Sequence, residues 1–237
     1  MVFENVNPGI QLVEQFGRLN TGIWLLSHHN EGVILEMPDY SEEERFDPWQ
    51  KLDEYIMEHN IYIKFSTATH NHTDHFSTFP QFHEEFSEIP IVVNSNFFRN
   101  FAISKFISAE DLESDVEVEP SIFVKNVPVY CFKEQVFQTH LSGEPLYLIK
   151  APKHSWSDTI IIFRGTMITS DWWIGKGDPN KNNIPESVIN DSISLLQEFT
   201  RQMNYKIHSL ISVHANEFRR NIDFINLMEE TRPGSKP

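Results

Sequence analysis

The stretch that decides the fold runs Ile61-Tyr62-Ile63-Lys64-Phe65-Ser66-Thr67-Ala68-Thr69-His70-Asn71-His72-Thr73-Asp74-His75. Ile61 to Thr67 reads as a β-strand. Directly behind it stand four side chains able to ligate metal: His70, His72, Asp74 and His75. Polar groups delivered at the carboxyl end of a strand lie where α/β layers place their chemistry. In an extended or turning segment, residues two apart point the same way. His70 and His72 can therefore face one ion while Asp74 and His75, past the turn, face a second. Imidazole nitrogen and carboxylate oxygen suit zinc, iron or manganese. The plainer reading, a polar loop whose histidines cap the next helix, leaves so dense a set of ligand types unexplained.

Working outward, Gly22–Leu26 and Gly32–Met37 read as a hairpin ended by Pro38, and Ser41 to Asn60 as a helix opening after a Ser41 cap. A helix is expected over Phe76–Glu88, a buried strand over Ile91–Asn94, a helical stretch near Asn96–Ile107 and an acidic surface link over Glu110–Glu119. The later half repeats the strand signal at Leu146–Lys150, Thr159–Phe163 and Thr166–Thr169. Asp191–Met203 carries a helical apolar stripe, Ile207–Val213 reads as a strand, and Phe218–Met228 as a closing helix. Residues 1–230 are expected to form one domain, with 231–237 a flexible tail.

Three more ligand types stand at strand ends: His154 after the strand closing near Lys150, Asp171 after Thr166–Thr169, and His214 after Ile207–Val213. Singly, each would pass for a surface residue; beside the first cluster they read as ligands. The chain here resembles the metallo-β-lactamase superfamily, whose members carry a His-x-His-x-Asp-His run followed by a His, an Asp and a His at strand ends. The resemblance extends from the first hairpin through His214 and implies an α+β fold, a four-layer αβ/βα sandwich with metals at one edge. It further implies that His70, His72 and His154 hold one divalent ion, that Asp74, His75 and His214 hold another, and that Asp171 bridges them. Zinc is the first choice, with iron or manganese as the others. A metal-bridging hydroxide would act as nucleophile, oriented by Asp74 as the catalytic carboxylate. That agrees with the lack of a Gly-x-Ser-x-Gly elbow.

Departures accompany the match. Members usually have glycines where this chain has Phe76-Ser77, Ser170 and Ala215-Asn216. Where many have an Asp-Thr-Gly turn, it has Leu35-Glu36-Met37-Pro38, leaving Glu36 and Asp39 as two candidates for a supporting acid. Asp158 stands where a polar residue would steady the His154 loop, or would serve only as a turn. Trp172 and Trp173 could wall a pocket or fill the core. His28 and His29, adjacent and so pointing apart, read as a turn, although His29 near the metal mouth is an alternative.

A chain of 237 residues, 40% hydrophobic and 22% charged, is ample for one core. Its net charge of −15 offers no basic stripe for phosphate backbones, so nucleic acid is not expected as a partner. No apolar run is long enough for a membrane span and no leader is visible, so a cytoplasmic location is expected. A single cysteine, Cys131, forbids an internal disulfide. Asn-x-Ser/Thr matches at Asn71 and Asn190 read as accidental. The expected partner is a small-molecule substrate, and nothing in the residues specifies an oligomeric state. Only 23 residues follow His214, which disfavours the helical extension of glutathione thioesterases of this superfamily. Hydrolysis of a small ester, lactone or thioester is the resulting expectation. Its rivals are a di-iron oxidoreductase on the same ligands and a metal-binding domain without turnover.

Overall fold

The computed structural model describes residues 4–17, 19–39, 48–97, 121–124, 127–173, 183–214 and 218–234. Two sheets face each other. The first has eight strands: β1 (Glu4–Asn7), β2 (Ile10–Phe16), β3 (Thr21–His28), β4 (Glu31–Leu35), β5 (Tyr62–Thr67), β6 (Ile91–Asn94), β7 (Ser121–Val124) and β8 (Val127–Phe132), in the order β1-β2-β3-β4-β5-β6-β8-β7. The second has six: β9 (Val136–Leu141), β10 (Glu144–Lys150), β11 (Thr159–Phe163), β12 (Thr166–Ile168), β13 (Ser209–Ile211) and β14 (Phe218–Arg220), in the order β14-β13-β12-β11-β10-β9. Helices α1 (Pro48–Glu58), α2 (Thr73–Phe76) and α3 (Phe79–Glu85) cover the first sheet, and α4 (Glu186–Gln202) and α5 (Phe224–Glu230) the second.

Strand periodicity of two separates three apolar cores. On β3, Trp24 and Leu26 turn inward between the sheets while Ile23 and Leu25 turn outward to the helices. On β11, Ile161 and Phe163 join the inner core while Ile160 and Ile162 meet α4 and α5. Every residue of β11 is therefore buried, which its unbroken apolar run reflects. The four-layer αβ/βα arrangement expected from the resemblance is the one observed.

Several elements differ from the sequence expectations. β1, β2, β8 and β9 carried no clear signal. In β2 the register shifts between Leu12 and Glu14, so Ile10 and Leu12 pack inward but Phe16, which unbroken alternation would also turn inward, packs outward with Val13. Pro128 lies near the start of β8 and argues against a strand there. β9 is a half-exposed edge strand. The helix expected over Phe76–Glu88 starts earlier and breaks in two, because Thr78 is tied to the exit of β4 through its N–H and hydroxyl, which donate to Met37 O and Pro38 O. The helix expected over Phe218–Met228 gives its first residues to β14, which pairs antiparallel with β13. It begins only at Phe224, where the Asp223 side chain caps it by accepting from Asn226 N at 3.2 Å. α4 starts at Glu186, ahead of Asp191, and β13 is shorter than Ile207–Val213. Ser41, most of the stretch near Asn96–Ile107 and the link Glu110–Glu119 lie outside the described residues. In the stretch read as a tail, Arg232 bonds Gln197 at 3.0 Å and Glu229 at 2.8 Å.

β4 and β5 are parallel, as are β12 and β13, and all four end at one edge of the sandwich together with β10. There the sheets are stitched by Thr159 N donating to Thr69 O at 2.8 Å and Gly22 N donating to Val213 O at 3.0 Å. The His28–His29 turn joins the opposite ends of β3 and β4, away from this edge. No helix among the described residues is long and apolar enough to cross a membrane.

Gly9 opens β2 at φ +77, and a Cβ there would meet Ser27 O at 2.3 Å, whereas at Gly143 (φ +87) nothing lies within 4 Å. Gly9→Ala is expected to cost more than about 2 kcal/mol, overpacking adding to backbone strain, and Gly143→Ala about 1 kcal/mol. Urea denaturation distinguishes them; equal losses would contradict the close approach of β2 to β3.

Candidate metal centre

All seven expected ligands meet at the shared strand edge, in two groups: His70, His72, His154 and Asp171, and Asp74, His75 and His214. The chain reaches Ala68–His72 straight from β5. Thr73 then starts α2, so Asp74 and His75 sit in a helical first turn rather than a plain extended segment, with His75 N bonded to His72 O at 3.0 Å. His154 lies in the loop after β10, Asp171 in a 3-10 turn after β12, and His214 three residues past the end of β13.

In the first group three ring nitrogens converge. His70 Nε2 stands 2.9 Å from His72 Nδ1, which stands 3.2 Å from His154 Nε2. In the second, His75 Nε2 lies 3.3 Å from Asp74 Oδ2, and both atoms are buried without a hydrogen bond. Asp171 joins the groups. Its Oδ1 contacts His214 Nε2 and lies 3.4 Å from His75 Nε2, and its Oδ2 lies 3.4 Å from His154 Nε2. Unsatisfied buried acceptors beside convergent nitrogens fit a divalent cation, and the mixed N/O donor set suits zinc, iron or manganese.

Burial, reinforced by nearby His75, holds the His70 imidazole well below its ordinary range. Burial would depress His75 too, but Glu36, Asp171 and Asp74 drive it well above. Burial would raise Asp171, yet its contact with His214 and the nearby His75 ring hold it well below the carboxylate range. His70 and His75 are wholly buried, whereas the Asp74 side chain is 28% exposed. The site therefore opens toward Asp74.

Supporting contacts orient each ring. Glu36, fully buried at φ +70, places Oε2 3.4 Å from His75 Nδ1 and accepts from Thr69 N at 3.2 Å and from its hydroxyl. Asp39 is exposed, so Glu36 is the acid at the site. His214 Nδ1 faces Leu19 O at 2.9 Å and Thr21 Oγ1 at 3.2 Å. Asp158, buried, accepts through Oδ2 from the N–H groups of Lys153, His154 and Ser155 at 2.9, 2.7 and 2.9 Å, and so cradles the His154 loop. Burial pushes it up to about 6 against those bonds. Trp172 and Trp173 are buried in the core beneath the second sheet.

Sequence reading missed a polar lattice between the loops. Asn71 N donates to Ser157 Oγ at 3.2 Å, and Asn94 Nδ2 donates to Thr159 Oγ1 at 2.9 Å and to Ser157 O. One signal was available: Asn94 ends an otherwise apolar buried strand. Lys153, also missed, is buried and donates to Trp172 O at 2.7 Å; burial brings it down to about 8.

The chain matches solved structures across nearly its whole length. A crystal structure of the DIM-1 metallo-β-lactamase exposed to ceftazidime has 13% identity and a TM-score of 0.64, over 97% of this chain and 93% of that one. A metallo-β-lactamase family protein from Thermus thermophilus has 15% identity and a TM-score of 0.59, over 96% and 79%. ETHE1 from Myxococcus xanthus has 11% identity and a TM-score of 0.58, over 93% and 82%. No family model matches the chain, and no curated protein matches it. The chain has the metallo-β-lactamase fold.

Asp158→Ala leaves three buried N–H groups without their acceptor. It is expected to cost about 3 kcal/mol in urea denaturation and to lower the affinity for an added divalent cation roughly 10- to 100-fold. A variant within about 0.5 kcal/mol of the parent would show that the His154 loop does not depend on this carboxylate.

Proposed function

We propose that the protein is a dinuclear metal-dependent hydrolase, zinc being the first choice of ion, acting on a small ester, lactone or thioester. The carrying observation is the pairing of two ligand groups around one shared carboxylate, Asp171. His70, His72 and His154 would hold one ion, Asp74, His75 and His214 the other, with Asp171 common to both. Bound there, such ions supply an acidified water and polarise a carbonyl oxygen. The chain's own residues then do three things. The buried rings of His70, His75 and His154, locked by their neighbours, keep the ligand geometry fixed without reorganisation. Asp74, the more open carboxylate, orients the attacking water and accepts its hydrogen bond. Glu36 and Asp171 offset positive charge on the floor of the site.

We read the working unit as residues 1–230, acting without nucleic acid, and place it in the cytoplasm, where the buried thiol of Cys131 would stay reduced. Elemental analysis of protein purified without added metal, followed by lactone, thioester, aryl ester and phosphodiester assays, tests the reading. About two zinc ions per chain and turnover of one carbonyl substrate are expected. Iron content with oxygen consumption and no hydrolysis would transfer the site to the oxidoreductase reading. His72→Ala should lose metal and activity together by more than about 100-fold. His83→Ala, on α3 with its ring stacked on Phe79, should change neither. Full metal content in the His72 variant would remove the assignment.

A further inference from the structure

Ser170 precedes Asp171 at φ +57, in the left-handed region disfavoured for any residue carrying a Cβ. Glycine would take that turn freely, so the serine side chain calls for a separate reason. It is buried, and its Oγ lies 2.9 Å from His70 Nδ1. The opposite nitrogen of that ring, Nε2, points into the first ligand group, 2.9 Å from His72 Nδ1. A neutral imidazole presents a lone pair on one nitrogen when the proton sits on the other. With Nε2 turned to the ion, Nδ1 must donate. Ser170 Oγ stands in line to accept, while Thr69 Oγ1 is farther, at 3.5 Å, and gives its own proton to Glu36.

We propose that Ser170 is a positioning residue of the metal centre: its hydroxyl accepts the Nδ1 proton of His70 and fixes the tautomer and ring orientation that present Nε2 to the ion. The strained turn is held by donors on its carbonyl, Thr169 Oγ1 at 3.2 Å and Trp173 N at 3.4 Å. The same residue therefore sets Asp171, its chain neighbour, and His70, a hundred residues earlier, against each other. This inference rests on the metal-centre reading of the preceding section.

Two variants separate the hydroxyl from the backbone: Ser170→Gly removes the bond and the strain, and Ser170→Ala removes the bond alone. Zinc affinity is measured by competition with a chelator, and the melting temperature is measured on metal-free protein. Both variants are expected to lose zinc affinity roughly 10- to 100-fold. Metal-free Ser170→Gly should melt within about 2 °C of wild type or above it, and no lower than Ser170→Ala. In zinc-loaded wild type, nitrogen-15 NMR should find His70 protonated at Nδ1. The proposal is overturned if Ser170→Gly binds zinc within twofold of wild type, if its metal-free melting temperature falls by about 5 °C or more, or if His70 carries its proton on Nε2. Wild-type protein that takes up no zinc, iron or manganese would instead overturn the metal centre itself.

Discussion

Three imidazole nitrogens, on His70, His72 and His154, point at one another across about 3 Å, and neutral rings resist that arrangement. His72 Nδ1 carries either one in-plane proton or one in-plane lone pair, so it can serve only one of the two contacts well. Alongside them Asp171 and Asp74 bring carboxylates into the same partly dry volume, where uncompensated negative charge is costly. A cation at each group, as proposed, would relieve both strains at once. Other groups back these side chains: Glu36 behind His75, Asp158 beneath the His154 loop, the Leu19 carbonyl behind His214 and Ser170 behind His70.

The sandwich supplies the convergence. Because β4 and β5 run parallel in one sheet, and β12 and β13 in the other, their ends emerge at a common edge. The inner core of Trp24, Leu35, Phe65, Ile161, Ile168 and Ile211 holds the two sheets face to face just below it. Each expected ligand follows its strand within a few residues, and bonds such as Thr159 N to Thr69 O fix these segments across the seam. Ligands from distant parts of the chain thus meet without any one loop having to be long.

Much of this was legible in the residues. The His70–His75 run declared its chemistry because metal binding needs specific side chains at specific spacing, and β5, β6 and β11 declared themselves through their apolar runs. What stayed hidden depended on partners distant in sequence. The bulge in β2 scrambled the alternation that Ile10 and Leu12 began. The break between α2 and α3 arises from bonds to Met37 and Pro38. β14 exists because β13 offers it an edge. Glu36 could not be told from Asp39 until burial separated them, and the tryptophans after Asp171 went to the core because α4 and α5 cover them. Ser170 was visible only as a serine in a place where glycine would be easier; its φ and the nearness of His70 Nδ1 give it a purpose.

The central claim is that one pair of cations organises these side chains. Anomalous diffraction from crystals of the metal-loaded protein, recorded on both sides of the zinc edge, tests it most directly. The account predicts two peaks about 4 Å apart, one among His70, His72 and His154, the other among Asp74, His75 and His214, with Asp171 between them. A map with no peak there, or with His154 or His214 turned away from the His70–His75 loop, would contradict it.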